Sequence, residues 1–456
     1  METFGKRDVV VIGGGISGLA CAWWLRRAGL DVMCVEASQR AGGALYSHRI
    51  GGFLVEAGAS TVLQTPELAE LVNDVGLGPE VVQAPALPRY VVRDGSLHAA
   101  PSGVGSLLGT RLLSGRAKWR LVRELFVPQR AGVDDESVDE FVRRRFGAEV
   151  ARVIAAPFIA GTFAGDPAAL SARAVLPRLV ALEERHGGVI QGMLRAGRSR
   201  GAVRASLISL RDGMESLPRR IAERIGDDLW LGAETEAIHR TGRAGRSAWT
   251  VSVRRGAERV RISTRAVVLA TACHTAAALL GEVAPTASQA LGEIPSASLA
   301  VVSLAWPRTS VTHSPRGLGF LVAPGERLRI LGCLWPSSAF PNRAPASHAA
   351  FTAFVGGALD AQAVCLEDEA LVDLVRHDLA PLLGITGDPR VLSVDCHRRA
   401  LPQYGIGHGA RIARARQAIE SVSGLFVCGN YFSGVSVGET ARMAQATAAA
   451  VVGSLH

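Results

Sequence analysis

Lysine is almost missing from this sequence: Lys6 and Lys118 are the only two, so nearly all of the 50 basic residues are arginine. Against 41 acids they leave a net charge of +9. Such a bias suits carboxylate-bearing ligands or an anionic membrane surface, and genome composition produces it equally well. Nucleic acid is not indicated, because no basic stripe is interleaved with aromatics and aromatics make up only 5% of the chain. Cys21, Cys34, Cys273, Cys333, Cys365, Cys396 and Cys428 are scattered with no C-x-x-C pair, and the 11 histidines form no H-E-x-x-H. That excludes the usual zinc spacings and a disulfide framework, so no metal is expected and a reducing cytoplasm is. No run of about 18 apolar residues exists, so no transmembrane helix is expected. The first core strand begins within ten residues, which is expected to leave no room for a signal peptide.

At 456 residues the chain exceeds the size at which single cores stop growing, so two or three domains are expected. An apolar fraction of 48% with 20% charge is that of a globular protein. Its most informative stretch is the first. Asp8 to Ile12 is an apolar β-branched run, Gly13-x-Gly15-x-x-Gly18 follows with Ser17 inside it, an Ala/Leu/Trp-rich helix comes next, and Val32-Met33-Cys34-Val35 ends in Glu36. This is the pattern of a βαβ dinucleotide-binding unit. Gly13 permits the tight turn, Gly15 admits a pyrophosphate to the backbone, and Gly18 lets the helix pack close. Helix N–H groups then face the phosphates. Glu36 can accept from ribose hydroxyls and would repel a 2′-phosphate, which disfavours NADP.

Arg40-Ala41-Gly42-Gly43-Ala44 and Glu56-Ala57-Gly58-Ala59-Ser60 come next. Here the sequence resembles the FAD-containing amine-oxidase-like superfamily, whose members follow the ribose-binding acid with R-x-G-G and a D/E-x-G turn. The resemblance implies FAD, with Arg40 on its pyrophosphate and Gly42, Gly43, Ala44, Gly58, Ala59 and Ser60 approaching it through backbone. It extends to Thr235, which holds the adenine-side valine position, and to a C-terminal strand, loop and helix start carrying Gly429, Gly434, Val435, Ser436 and Val437. That terminus would lie at the pyrimidine edge of the flavin, where a positive dipole stabilises negative charge.

Gly161-Thr162-Phe163-Ala164-Gly165-Asp166, Pro402-Gln403-Tyr404 with Gly407-His408, and the stretch 330–341 narrow this to a resemblance with protoporphyrinogen oxidases. The fold class implied is α/β, more fully an α+β two-domain flavoprotein. A Rossmann-type FAD-binding domain (1–84, 205–283, 400–456) accompanies a discontinuous β-rich substrate domain (85–100, 284–399) and an inserted helical subdomain (101–204). Helices are expected over 66–76, from Asp134, over 367–383 and over 410–419, and 157–171 reads as a tight loop around Gly161. Strands are expected over 266–270 and 391–394, a hairpin over 248–263, and 195–204 as an exposed loop. Residues 105–127 form a basic amphipathic segment, either an ordinary surface helix or one lying in a membrane interface.

The resemblance implies oxidation of a porphyrinogen, with flavin N5 as the reactive centre, no catalytic side chain and O2 as acceptor. Arg89 and Arg343 are candidates for a substrate carboxylate, with surface positions the alternative, and Gly161, Phe163 and His397 complete the pocket candidates. Three departures point elsewhere. Ala59 and Thr65 stand where relatives carry proline and a substrate-facing arginine, Cys396-His397 where Arg-Trp is common, and Glu439-Thr440 where Asp-Cys is usual. They favour a related enzyme acting on another amine, pyrroline or polyene, and a flavin-binding protein without activity is a third reading. A cytoplasmic protein, with peripheral membrane contact or a homodimer as further expectations, completes the list.

Overall fold

The structure, a computed structural model, describes residues 2–101, 103–130, 132, 134–196, 206–242, 249–313 and 316–456. Two seven-stranded sheets dominate it. In the first, Glu2–Ile12 lies between Val32–Val35 and Glu258–Leu269, all parallel, and their apolar stretches Val9–Ile12, Val32–Val35 and Ala266–Leu269 are buried on both faces. Val9, Val10 and Val11 are fully buried, with Leu19, Cys21 and Leu25 of the helix Ile16–Arg27 packed on one side. Trp249, Ile262 and Leu280 fill the other side. The strand Glu258–Leu269 is longer than the separate hairpin and strand read from sequence. Its first half pairs antiparallel with Trp249–Arg255 and its second half pairs parallel with Leu425–Val427, so one strand does both jobs.

The second sheet runs in the order Arg390–Pro402, Ser296–Pro307, His348–Gly356, Ile330–Leu334, Gly319–Val322, Arg89–Arg93, Ser96–Ala99. Its second strand, Ser296–Pro307, is buried from Ala300 to Trp306. Asp94 and Gly95 both take positive φ, which closes the hairpin between the last two strands. The last part of Arg390–Pro402, beyond the expected 391–394, carries the chain from this sheet back toward Tyr404.

A helical region has its own core, which includes Phe141, Ile159, Phe163 and Tyr404. Two expectations change here. The helix expected from Asp134 starts at Val138, because Ser137 and Glu140 form a reciprocal capping box. Asp135 instead accepts from Ser171 Oγ at 2.8 Å and Gly407 N at 2.9 Å, tying the region to the C-terminal segment. The loop expected around Gly161 is a helix, Ala156–Phe163, ended by Ala164 in the left-handed conformation. A Cβ on Gly161 would overlap the Leu321 side chain, so glycine serves helix-to-strand packing there. Arg145 and Glu124, both fully buried, form an ion pair, and Glu124 also accepts from Val189 N and Ile190 N. Segment 105–127 is broken into Val104–Gly109, Gly115–Val122 and the 3-10 turn Arg123–Phe126, with Trp119 and Phe126 strongly exposed. The loop expected over 195–204 lies, from 197 on, outside the described residues. Among the described residues no helix is long and apolar enough to cross a membrane.

Candidate cofactor and substrate site

The glycine loop is built as its spacing predicts. Gly13 has φ +110, and a Cβ there would lie 2.6 Å from the Ala270 carbonyl oxygen. A Cβ on Gly18 would overlap the Gly13 carbonyl oxygen, so the helix can sit this close only with glycine. Gly15 is different: nothing lies within 4 Å of its Cβ position. It caps the helix Ile16–Arg27 without a side-chain hydrogen bond, and the first turn, including Ser17, carries no acid. The amide groups of that terminus therefore face open space with a positive end. Glu36, at the end of Val32–Val35, accepts from Gly14 N at 2.6 Å and Ser38 N at 2.8 Å.

The second motif folds onto the first. Gly15 and Gly42 form an isolated parallel bridge, and a Cβ on Gly43 would stand 3.2 Å from Gly15 Cα. Arg40 donates to Gly43 O at 2.6 Å and lies 4.5 Å over the Tyr46 ring, so its guanidinium is held beside the loop. Gly58 packs so tightly that a Cβ would overlap the Ala44 carbonyl oxygen, which places Ala59 and Ser60. On the opposite side Gly429 precedes the short helix Asn430–Ser433, Gly434 has φ +143, and Val435 leads to Ser436, which caps Val437–Leu455 by accepting from Glu439 N. Four buried hydroxyls, those of Thr235, Thr271, Tyr431 and Ser433, have no partner among the described residues. Buried polar groups are ordinarily satisfied, so open backbone donors and orphan hydroxyls together fit a polar dinucleotide.

A cavity of about 380 Å³ opens beside Ser60 and Thr61, against Arg89–Arg93, Gly319–Val322 and their neighbours in the second sheet. Tyr90, Phe158, Leu321 and Phe340 give it apolar walls, while Glu56, Arg89, Arg343 and Thr352 supply polar groups. Of the five pocket candidates, two line it. Arg89 is exposed, with no side-chain partner among the described residues. Arg343 is not a surface residue: it is 3% exposed and paired with Glu56 at 3.2 Å. Phe163 faces the helical core against the Tyr404 ring at 5.9 Å, and Gly161 is spent on packing, so their helix reaches the cavity through Phe158 and Thr162 instead. His397 Nε2 lies 2.6 Å from Ala57 O and holds the Gly58 turn from behind. Thr65 does not stand in for an arginine. It caps the helix Pro66–Asp74 and packs on Gly438.

In sequence Glu56 is only the acid of a turn, and nothing there marks its burial. Phe158 and Thr162 lie inside the 157–171 stretch without being marked as cavity residues, and Leu321 and Thr352 carry no signal, since each belongs to an ordinary apolar or β-branched run.

These parts make a flavoprotein oxidoreductase. The flavin containing amine oxidoreductase model matches residues 16–452, and the chain belongs to that family, on its protoporphyrinogen oxidase branch. It is 29% identical to coproporphyrinogen III oxidase of Bacillus subtilis (strain 168), over 95% of each chain. It is 31% identical to the chloroplastic protoporphyrinogen oxidase of Oryza sativa subsp. japonica, over 97% of this chain and 88% of that one. A crystal structure from Exiguobacterium sp. 255-15, provisionally named a protoporphyrinogen oxidase, superposes with a TM-score of 0.82 at 26% identity, covering 99% of each chain. The protein is an FAD-dependent oxidoreductase.

Proposed function

We propose that the chain oxidises a porphyrinogen, protoporphyrinogen IX or coproporphyrinogen III, to the porphyrin, in haem biosynthesis. The cavity of about 380 Å³ carries the reading: it pairs apolar walls for a large ring with two guanidinium groups for ring carboxylates. The names of the relatives support it. FAD, when bound, supplies a two-electron acceptor whose N5 takes a hydride from a C–H beside an electron-rich nitrogen. The chain contributes binding and orientation. Gly13, Gly15, Ser17 and Gly18 present backbone to the pyrophosphate, with Arg40, Gly42, Gly43 and Ala44 on the facing side. Glu36 takes the ribose hydroxyls and Thr235 borders the adenine. Gly58, Ala59 and Ser60 line one edge of the flavin and Gly429, Gly434, Val435, Ser436 and Val437 the other. Arg89 at the exposed side and Arg343 in the depth take carboxylates, and Tyr90, Phe158 and Phe340 exclude water.

Three successive two-electron oxidations use O2 as acceptor. We divide the chain into FAD-binding, substrate and helical parts at the boundaries given above, a reading that the two sheets and the separate helical core support. Exposed Trp119 and Phe126 beside Arg116, Lys118 and Arg123 support peripheral contact with the inner face of the membrane from the cytoplasm, with a homodimer contact the other use of this patch. Recovery of the protein in the membrane fraction, released by detergent, tests the first.

Thr65, fixed as a helix cap where relatives hold a substrate-facing arginine, favours the second reading, an oxidase of another electron-rich amine or pyrrole. Aerobic turnover of holoprotein with protoporphyrinogen and with coproporphyrinogen, followed by porphyrin fluorescence, decides between them. Fluorescence rising no faster than autoxidation refutes the porphyrinogen reading.

A further inference from the structure

Glu56 and Arg343 form a buried ion pair inside the cavity that a carboxylate-bearing substrate has to enter. Glu56 is 4% exposed and Arg343 3%. Glu56 Oε1 accepts from Arg343 Nη1 at 3.2 Å and Met214 N at 3.0 Å, and Oε2 accepts from Ser47 Oγ at 2.6 Å. Arg343 Nη2 donates to Ser209 Oγ at 2.7 Å and Leu210 O at 3.0 Å. A guanidinium has five N–H groups. The bonds above use three of them, leaving Nε–H and one Nη1–H with no acceptor among the described residues. The arginine, which lines the cavity, is thus fixed in place by its Nη2 end and still under-satisfied.

We infer that a ligand carboxylate entering the cavity replaces Glu56 as the counter-ion of Arg343, and that Glu56 takes up a proton from solvent as it is displaced. The inference rests on reading this cavity as the substrate site. A buried carboxylate without a counter-ion is too costly to persist beside a second carboxylate, so it neutralises. The surroundings are ready for that change. Ser47 Oγ, which donates to Glu56 and accepts from Glu215 N at 3.2 Å, can rotate and accept the new carboxyl proton. Desolvation already pushes the Glu56 carboxyl above its ordinary value, against the lowering effects of Ser47, Arg343 and Met214 N, with Glu215 adding to the rise. Arg49 and Asp212 act on the arginine side, and Arg89 lines the same cavity.

The linkage has a definite sign. Proton uptake on binding makes affinity fall with rising pH, by about tenfold per pH unit between the Glu56 pKa values of the free and liganded protein. The probe is 2-naphthoate compared with its methyl ester, each titrated into holoprotein and followed by the flavin absorption change from pH 6 to 9. Calorimetry of the wild-type protein in two buffers of different ionisation enthalpy counts the protons. The expected result is uptake of up to one proton with the acid and none with the ester. Glu56→Gln should bind the acid at least tenfold more tightly at high pH and flatten its pH dependence, leaving the ester unchanged. Arg343→Met should remove the preference for acid over ester, and Arg89→Gln should retain the proton uptake. No proton uptake at any pH, no preference for acid over ester in wild type, or an unchanged pH slope in Glu56→Gln overturns the proposal. Calorimetry on wild type keeps the test open if a variant fails to fold. Proton-coupled naphthoate binding without porphyrinogen turnover would sink the functional reading alone.

Discussion

The loop around Gly13 and the cavity around Arg343 lie in one molecule but are made in opposite ways. The first is built from backbone: positive φ at Gly13, Gly42 and Gly43, close approach at Gly18 and Gly58, and an uncapped helix start at Gly15. The second is built from side chains that meet only in the fold, from Glu56, Arg89, Phe158, Leu321 and Arg343. A backbone site constrains residue type at fixed spacing, because only glycine meets the steric demand. A side-chain site constrains volume and polarity, which many sequences satisfy. Cofactor chemistry is accordingly fixed by the fold, while substrate choice is open to drift.

The sharpest test of that contrast lies within the loop itself. Gly18→Val forces a side chain onto the Gly13 carbonyl oxygen and should abolish folding, read as loss of soluble protein and of far-UV circular dichroism. Gly15→Asp, three residues away, has free space around its Cβ and should fold, but it sets a carboxylate where the pyrophosphate is proposed to sit. It should be colourless, with flavin absorbance absent and the dichroism spectrum intact. A Gly15→Asp protein that purifies fully yellow would break the backbone side of the comparison.

In the cavity the largest effect falls on the ion pair. Arg343→Met leaves Glu56 buried without its partner, and removing one member of such a pair costs about 3–5 kcal/mol. Chemical denaturation should register that loss, and Glu56→Gln combined with Arg343→Met should recover most of it. A double variant as unstable as the single one would show that Arg343 matters for packing rather than for charge.

A third effect appears in pH dependence, at the segment joining the two regions. Burial holds the His408 imidazole down at about 4, with Tyr431 O raising it, Arg411 lowering it and Asp135 raising it. Its ring stacks on Tyr404 at 4.4 Å and its Nε2 lies 3.0 Å from Tyr431 O. Because the folded value is depressed, the unfolded chain binds the proton first as pH falls. Stability from this group is complete above about 6.5, declines as pH drops, and is gone near 4, a change on the order of 3 kcal/mol. Unfolding midpoints of wild type and His408→Gln between pH 7 and 4.5 should converge toward the acid end. Parallel curves would show that His408 does not titrate in this way.

The same division decides what could be read in advance. Gly18 was legible because it meets a local requirement, set by the Gly13 carbonyl five positions away, while Gly13, which clears the Ala270 carbonyl, and Gly15, with open space around it, were legible through the fixed spacing of the motif. Glu56 was not, because its meaning comes from Arg343, 287 positions later, and from the turn at Met214. Gly161 shows the intermediate case. Glycine beside an aromatic reads as a loop, yet here it admits Leu321 against a helix, a demand that arises only when two distant elements pack. Phe163 misled for the same reason, since the face a helix turns to a cavity is chosen by tertiary packing.

Thr65 offers the finest test, because it stands where the two regions adjoin and was first notable for what it is not. Its hydroxyl accepts from Leu68 N at 3.3 Å and donates to Gly438 O at 3.4 Å, and its methyl would lie 2.6 Å from a Cβ on Gly438. The residue therefore joins the start of Pro66–Asp74 to the start of the C-terminal helix, on the backbone-governed side of the molecule. If that is its whole role, Thr65→Ala loses a helix cap, costs about 1 kcal/mol of stability, and leaves flavin content and KM as they were. Thr65→Ser, which keeps the hydroxyl, should restore most of the loss. A changed KM for a carboxylate-bearing substrate with stability intact would instead place position 65 in the cavity, and the boundary between the two kinds of site would have to be redrawn to include it.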